Sequence, residues 1–250
     1  SSALTSPDGL LAFGGDLSSE RLLNAYRSGI FPWFEDGDPI LWWSPSVRAV
    51  ASIDDIHISR STLKYARKHG YELTVNQELR AVMTQCASSS DRVDATWITD
   101  DMLEAYLALG KEGWVQSVEV WYEGQLVGGL YGVAVHPWFC GESMFSLAPN
   151  ASKYAVHGLK HVLKTRGYVG VDAQMPTEHL SSLGFKDVDR DDFVSRLSDS
   201  RWSESPVIFS NDDLNGSDGY RSISNKKGNY KRAHFSVNSF IASIKNDISS

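Results

Sequence analysis

The sequence predicts a mixed α/β (α+β) fold, in which a small irregular N-terminal domain precedes a larger domain built on a mixed sheet. Three features support this prediction. Residues 1–60 are dense in glycine, proline and tryptophan, residues 115–145 read as successive strands, and residues 150–164 read as a long helix. A chain of 250 residues is long enough for one large domain or two smaller ones that share an interface.

The N-terminal domain is predicted to contain one helix within otherwise irregular chain. Ser18 is suited to cap the start of that helix, Glu20 complements its positive end, and Gly29 stops it after Arg27. Farther along, three prolines lie close to three tryptophans between residues 31 and 45, which excludes a regular helix there. We therefore assign the small N-terminal domain to residues 1–60.

The remaining elements follow in an order typical of one fold class. Helices are predicted at 61–68, 76–87 and 99–109, with Asn76 and Thr99 at the helix starts. The elements after them are strands at 115–122, 125–135 and 138–145, a helix at 150–164, a strand at 168–173, and short helices at 178–183 and 191–197. Antiparallel strands, a long helix and then a buried strand are the order of an acyltransferase-type α/β domain, here residues 61–205.

The C-terminal residues differ in composition from the rest of the chain. Residues 206–250 are rich in Ser, Asn, Asp, Gly and Lys and contain few large apolar side chains. Such a segment buries too little apolar surface to offset the entropy lost on ordering. The composition therefore predicts a weakly ordered tail.

Composition and charge exclude several classes of protein. The two cysteines, Cys86 and Cys140, exclude a disulfide framework and a CxxC zinc site, and they favour a reducing, cytoplasmic compartment. The sequence has no signal peptide and no apolar run of the ~20 residues that a membrane span needs. A formal net charge of −7 disfavours a protein that coats nucleic acid by charge alone, although a local basic face remains compatible with it.

A carboxylate and an amide end the strand predicted at 168–173. Residues i and i+2 share a face of a strand, so Asp172 and Gln174 are expected to point the same way. Side by side, these groups can orient an amine by hydrogen bonding. A strand end with its polar face in solvent explains the same pattern, and the spacing alone does not choose between the two interpretations.

Three further residues are candidates for binding or catalysis. Glu142 interrupts an otherwise apolar strand, so it either faces solvent or has a function, because unpaired burial of a carboxylate is costly. Trp33 and Trp97 are candidates for stacking on nucleotide bases if they are exposed. Packing in the core is the alternative for both tryptophans.

A basic stripe follows the helix predicted at 61–68. Arg60, Lys64, Arg67 and Lys68 are spaced i, i+4, i+7 and i+8, so they line one helical face. In an acidic chain this stripe favours contact with a phosphate backbone. An ordinary solvated helix face remains the alternative interpretation.

A set of motifs in a fixed order resembles one known family. They are Gly9–Leu17, Gly29–Phe34, Trp42–Pro45, His57–Ser61, Thr96–Thr99, Phe139–Ser146, Asn150–Lys153 and Ser182–Gly184. In this order they closely resemble the leucyl/phenylalanyl-tRNA–protein transferases over roughly residues 8–200. The resemblance does not extend to the tail.

The resemblance implies a cytosolic enzyme of the bacterial N-degron pathway with a GNAT-like acyltransferase domain. Its donors would be Leu-tRNA and Phe-tRNA (Met-tRNA less well), and its acceptors proteins with N-terminal Arg or Lys. Its partners would include neither a membrane nor DNA. The roles implied are Asp172, Gln174 and Glu142 for catalysis; Trp33 and Trp97 for the 3′-terminal adenosine; Leu130, Phe139, Met144, Val156 and Val171 for the transferred side chain; and Arg60, Lys64 and Arg67 for the tRNA acceptor stem.

Three positions depart from the family pattern. The family has an asparagine where this chain has Thr177, so a proton-relay role is not carried over to that position. Leu130 and Val156 replace other apolar residues, which would retune the pocket without removing it.

The implied chemistry needs no metal, nucleotide or other cofactor, because an aminoacyl ester is already activated. Two other functions remain open. An acetyl-CoA-dependent N-acetyltransferase would need a pyrophosphate-binding loop, whose nearest counterpart, Gln125–Leu130, fails at its last position and reads as strand. A non-catalytic RNA-binding module would leave Asp172, Gln174 and Glu142 without a role.

Overall fold

A computed structural model describes residues 3–88 and 98–215 of the protein. The strands are β1 (Leu10–Phe13), β2 (Phe31–Pro32), β3 (Leu41–Trp43), β4 (Val47–Ser52), β5 (Glu72–Val75), β6 (Val115–Tyr122), β7 (Gln125–Val135), β8 (Trp138–Ser146), β9 (Gly170–Asp172) and β10 (Lys186–Asp189). The helices are α1 (Ser19–Arg27), α2 (Arg60–Lys68), α3 (Leu79–Ser88), α4 (Asp100–Lys111), α5 (Ala151–Thr165), α6 (Glu178–Ser182) and α7 (Arg190–Ser198). A 3₁₀ helix at Asn211–Leu214 follows them.

The strands form two sheets. A small antiparallel sheet has the order β1-β3-β2, and a seven-stranded mixed sheet has the order β10-β4-β9-β8-β7-β6-β5. Its one parallel pair is β8 with β9, which α5 connects as a crossover. This pairing sets Phe139 beside Val171 and Cys140 beside Asp172. The mixed α/β fold with a small N-terminal part is therefore confirmed.

Apolar side chains cover both faces of the large sheet. On one face, α5 packs Val156 and Leu159 over Leu130 and Phe139. On the other face, helices α1, α3 and α4 bury a second core around Tyr131. Alternation along β6 and β7 explains this arrangement, because successive residues of a strand face opposite layers.

Side-chain hydrogen bonds cap the N-termini of helices α2, α4 and α6. The hydroxyls of Ser59, Thr99 and Thr177 accept hydrogen bonds from the backbone N–H groups of Thr62, Met102 and Leu180. Each bond satisfies one N–H group that has no partner inside its helix. The predicted Ser18 cap of α1 has the extended backbone of an N-cap but makes no side-chain capping bond.

The predicted elements from α2 to α7 are confirmed to within about three residues at each end. Six strands were missed, namely β1, β2 and β3 of the small sheet and β4, β5 and β10 of the large sheet. Strand β4 has four consecutive buried residues and therefore no polar alternation, whereas β10 is short and mostly exposed. Strand β5 is only four residues long.

The small sheet covers less of the chain than the N-terminal domain predicted at residues 1–60. Strand β4, which lies within that range, pairs with β9 and β10 inside the large sheet. The small sheet ends with β3 at Trp43. The division between the two sheets thus falls near residue 46, just before β4.

The start of the predicted tail is also different from the expectation. Residues 206–215 pack against the large domain, with Phe209 and Leu214 buried. The composition did not predict this packing, because only a few apolar residues anchor the segment. Asn211 adds a hydrogen bond and Asp213 adds an ion pair. The rest of the predicted tail, residues 216–250, lies outside the described residues.

Within the residues that the structure describes, no helix is long and apolar enough to cross a membrane. The Gln125–Leu130 segment lies in strand β7, as its sequence indicated. A strand has its N–H groups committed to its neighbours and does not supply a pyrophosphate-binding loop.

Candidate active site

A mostly apolar cavity of about 270 Å³ opens between the sheet and α5. The five residues that the resemblance assigns to the donor side chain all line it: Leu130, Phe139, Met144, Val156 and Val171. The candidate catalytic residue Glu142 also lines it. Thr177, the position that departs from the family pattern, lines it too, and sequence reasoning missed several other lining residues, namely Ile56, Leu159, His179, Leu180 and Phe185.

A β-bulge in β8 lets Phe139 and Met144 share this cavity. Residues five positions apart normally face opposite sides of a strand. The register of β8 against β7 shifts by one residue between the pairs Gly132–Gly141 and Tyr131–Ser143. Glu142 is therefore the extra residue, and the alternation resumes with Met144 on the cavity side.

Glu142 lies among hydrogen-bond donors from two helices and from the loop that follows β9. Its Oε1 accepts a bond of 3.1 Å from Nε2 of Gln174. The hydroxyls of Tyr26 on α1 and Tyr106 on α4 bond to each other and to the Glu142 carboxyl group. Burial raises the pKa of Glu142 to about 8 and the nearby charge of Asp172 adds to this effect, while the hydroxyl and amide donors oppose it.

Asp172 is buried and neutralised by an ion pair. Arg48 on β4 donates from Nε to Oδ1 at 3.3 Å and from Nη2 to Oδ2, and both side chains are at most 2% exposed. The same guanidinium donates to the carbonyl of Gly29 and lies over the rings of Phe31 and Phe193, 5.2 and 5.0 Å from their centroids. Arg48 thus ties the N-terminal part of the chain to the end of β9.

The strand expected to present Asp172 and Gln174 on one face ends before Gln174. Strand β9 ends at Asp172, and Gln174 has a positive φ of 58°, a conformation that costs energy for a residue other than glycine. The backbone N–H of Gln174 donates to Oδ1 of Asp172 at 3.1 Å, which stabilises that conformation. Gln174 thus contacts both carboxyl groups, Asp172 through its backbone N–H and Glu142 through its side-chain amide.

Trp33 lines a second cavity, of about 370 Å³, whose lining includes residues adjacent in sequence to those that line the first cavity. Its ring is half-buried and lies 5.8 Å from that of Trp43 at an angle of 58°. Met175 and Pro176, which follow Gln174 directly, line the same cavity. Trp97, the other candidate for base stacking, lies outside the described residues.

The basic stripe is exposed on α2. Arg60, Lys64 and Arg67 all face outward, whereas Thr62 and Ala66 are buried on the opposite face of the helix. The helix packs against α5, which also borders the apolar cavity. The stripe thus lies on the layer of helices that covers the candidate site.

Thr177 has a structural role in addition to its place in the cavity wall. Its hydroxyl accepts the backbone N–H of Leu180 at 3.2 Å and caps α6. Burial lowers the pKa of the neighbouring His179, and the charge of Lys153 lowers it further. In the part of the chain that the structure describes, no group of three or more His, Cys, Asp or Glu side chains is placed to hold a metal ion.

Sequence reasoning missed Arg48, Tyr26 and Tyr106. Arg48 lies 124 residues from its partner Asp172, and no local pattern relates the two. Tyr26 lies on the buried face of α1, and its hydroxyl reaches the Glu142 carboxyl group. The positive φ at Gln174 is also invisible in a pattern of residue types.

Two family models match this chain in consecutive parts. Residues 15–46 match the N-terminal domain of leucyl/phenylalanyl-tRNA protein transferase, and residues 50–198 match the leucyl/phenylalanyl-tRNA protein transferase model itself. Solved structures with partial similarity include L-PGS from Bacillus licheniformis (TM-score 0.41, 13% identity, 74% of this chain and 63% of that one). A GCN5-related N-acetyltransferase-like protein from Streptococcus suis has a TM-score of 0.28 at 15% identity, over 68% of this chain and 64% of that one. Both scores are below 0.5, and the fold assignment rests on the sheet topology.

Curated relatives carry the same description as the family models. A leucyl/phenylalanyl-tRNA–protein transferase from Pseudomonas fluorescens (strain Pf0-1) is 52% identical over 78% of this chain and 86% of its own length. Another from Shewanella piezotolerans is 49% identical over 78% of this chain and 83% of its own length. The chain therefore belongs to the leucyl/phenylalanyl-tRNA–protein transferase family and is an aminoacyltransferase whose partner is aminoacyl-tRNA.

Proposed function

We propose that the enzyme transfers Leu or Phe (and Met less well) from aminoacyl-tRNA to the α-amino group of proteins that begin with Arg or Lys, marking them for N-degron proteolysis in the cytoplasm. The observation that carries the proposal is an apolar cavity lined in part by Glu142, whose carboxyl group accepts a hydrogen bond from the Gln174 amide. An activated aminoacyl ester needs a pocket, an oriented amine and an acceptor for a proton.

The apolar cavity would hold the donor side chain. Its lining by Leu130, Phe139, Met144, Val156 and Val171 suits Leu and Phe, and it has few polar groups with which to reject the isosteric Met. The second cavity, with Trp33 at its wall, would take the 3′-terminal adenosine by stacking. Gln174 lies between the linings of the two cavities along the chain, where the ester would be expected.

Glu142 and Gln174 would act on the attacking amine. The amine nitrogen attacks the ester carbonyl carbon, a C–N bond forms, and the C–O bond to the 3′ ribose oxygen breaks. The proton that the amine loses passes to the Glu142 carboxylate and then to the departing ribose oxygen. Gln174 would orient the reacting groups through its amide, and Asp172 is a positioning residue because Arg48 and the Gln174 backbone occupy its carboxylate oxygens.

The acceptor preference is expected to follow from charge. With peptides identical except for the first residue, Arg or Lys should give a kcat/KM at least about tenfold above that of Ala or Glu when measured above pH 8, where Glu142 is ionised and its carboxylate complements a cation beside the amine. Transfer of labelled Phe from Phe-tRNA to each peptide, with mass spectrometry to locate the new bond, measures this. An Arg peptide acetylated at its α-amino group is the control and should stay unlabelled. Equal transfer to the Arg and Glu peptides would contradict the proposed preference.

The basic stripe of α2 would contact the tRNA acceptor stem without reading its sequence. Replacing Arg60, Lys64 or Arg67 by Gln should raise the Kd for Leu-tRNA and Phe-tRNA by the same factor and reduce the slope of log Kd against log salt by up to about one unit each. Arg80→Gln is a matched control, because Arg80 is an exposed arginine on α3, which covers the other face of the sheet. A variant that changes the Leu/Phe preference at an unchanged salt slope would contradict this role.

A further inference from the structure

The C-terminal segment of residues 206–215 has a contact with the active site that the family match does not include, because the match ends at residue 198. Phe209 is 3% exposed and stacks on Phe139, with ring centroids 6.2 Å apart and an angle of 26° between the ring planes. Phe139 lines the apolar cavity, whereas Phe209 does not reach it. Phe209 therefore forms a second layer behind the cavity wall.

The position of Phe139 is constrained on another side by the strand beside it. A Cβ atom added at Gly132 would lie 2.6 Å from Cε1 of Phe139, so the ring packs closely against this part of β7. Tyr168 packs edge-on against Phe209, 5.8 Å between centroids at 76°. With β7 on one side and Phe209 supported by Tyr168 on another, the Phe139 ring has little room to move away from the cavity.

Polar contacts hold the segment at several points. The backbone N–H of Phe209 donates to the Gln116 side chain at 2.9 Å, and its carbonyl accepts from Asn76 at 3.0 Å. Farther along, the side chain of Asn211 accepts the backbone N–H of Val75 at 2.9 Å, and Asp213 forms a 2.8 Å ion pair with Arg166. These bonds fix the backbone at Phe209 and beyond it, so the position of the ring is determined by polar contacts as well as by its own burial.

We propose that Phe209 is a specificity-determining residue of the second layer, which sets the depth of the donor pocket by holding Phe139 in place. The inference rests on the proposed placement of the donor side chain in the apolar cavity. If the Phe209 ring is removed, Phe139 gains space behind it and the pocket deepens. A deeper pocket favours the larger donor, because Leu loses wall contacts while Phe still fills the space.

The test compares donors at one acceptor peptide that begins with Arg. In Phe209→Leu and Phe209→Ala, the ratio of kcat/KM for Phe-tRNA to that for Leu-tRNA should rise about five- to tenfold, while the Kd for uncharged tRNA stays within about twofold. Phe209→Leu keeps most of the apolar volume and serves as the variant that folds if the alanine variant does not. Melting temperatures recorded for each variant separate lost stability from altered selectivity.

Two control variants separate the ring from its segment. Ile208→Ala removes the exposed neighbouring side chain and should leave the donor ratio unchanged, whereas Asp213→Asn removes one anchor of the segment and should change the ratio less than the Phe209 variants do. A stability loss in Phe209→Leu with an unchanged donor ratio would overturn the inference, as would an equal change of the ratio in Asp213→Asn.

A third variant separates this inference from the proposed pocket on which it rests. Met144→Ala alters the cavity wall itself and should change the donor ratio whether or not Phe209 has a role. If Met144→Ala changes the ratio and the Phe209 variants do not, the second-layer role fails while the proposed pocket stands. If none of these variants changes the ratio, the placement of the donor in this cavity fails as well.

Discussion

Arg48→Met is expected to lower the free energy of unfolding by about 3–5 kcal/mol and to reduce transfer to a small fraction of the normal rate. The substitution leaves the Asp172 carboxylate buried with no cation to compensate it. It also removes the hydrogen bond to the carbonyl of Gly29, and with it the contact between the N-terminal part and β9. Without Arg48 the Asp172 carboxylate is held less firmly, and this carboxylate is the acceptor for the backbone N–H of Gln174.

Urea unfolding and steady-state transfer measure the two parts of this expectation. The double variant Arg48→Met, Asp172→Leu should recover much of the stability, since two matched apolar groups leave no unpaired charge, but it should not recover turnover. Arg80→Met is the control, because its ion pair with Glu104 is exposed and should contribute at most about 1 kcal/mol. A stable and fully active Arg48→Met would contradict the positioning role of the pair.

Gln174→Ala and Glu142→Gln are expected to lower kcat by about 10²-fold or more with little change in tRNA affinity, as for groups that act in the transition state. The pH dependence separates the two. Burial raises the pKa of Glu142 to about 8. A base must be ionised, so kcat at saturating acceptor should rise with pH up to about 8 in the native enzyme and lose this inflection in Glu142→Gln. In Gln174→Ala the inflection should move to higher pH, because the variant lacks an amide donor that lowers the Glu142 pKa.

The raised pKa of Glu142 also predicts how the stability of the protein changes with pH. A carboxyl whose pKa is raised by folding binds its proton more tightly in the folded state than in the unfolded chain. Stability attributable to Glu142 is therefore present at low pH and is lost as the pH rises from its usual pKa of 4.5 to about 8. The difference in melting temperature between Glu142→Gln and native protein should shift in favour of Glu142→Gln across this range. An unchanged difference would argue against a buried, protonated Glu142.

Local patterns predicted most of the larger elements, because β6 alternates between polar and apolar residues, β7 and β8 are long apolar runs bounded by turn residues, and α5 has a helical period. They could not predict β4, which is buried on both faces and so has no alternation. They also missed the docking of residues 206–215, which depends on Gln116 and Asn76 far away in the sequence. Contacts of that kind are determined by the tertiary fold.

The candidate site, like the fold, could be predicted only in part from local sequence patterns. The residues lining the cavity followed from a family resemblance and not from spacing, since Phe139 and Met144 share a face only through the bulge at Glu142. The expectation for Asp172 and Gln174 assumed a regular strand, whereas the strand ends between them. Arg48 had no signal at all, because an arginine in a short apolar strand reveals its partner only in three dimensions.

The most direct measurement of the central claim is a crystal structure with a stable 3′-amide analogue of phenylalanyl-adenosine. The claim is that the donor side chain enters the cavity behind Met144 and that its carbonyl meets the Glu142–Gln174 pair. The account predicts a phenyl ring in contact with Phe139 and Met144, a carbonyl within about 3 Å of a side-chain polar atom of Gln174 or Glu142, and adenine beside Trp33. A phenyl ring bound between Trp33 and Met175, with the cavity at Met144 empty, would contradict it.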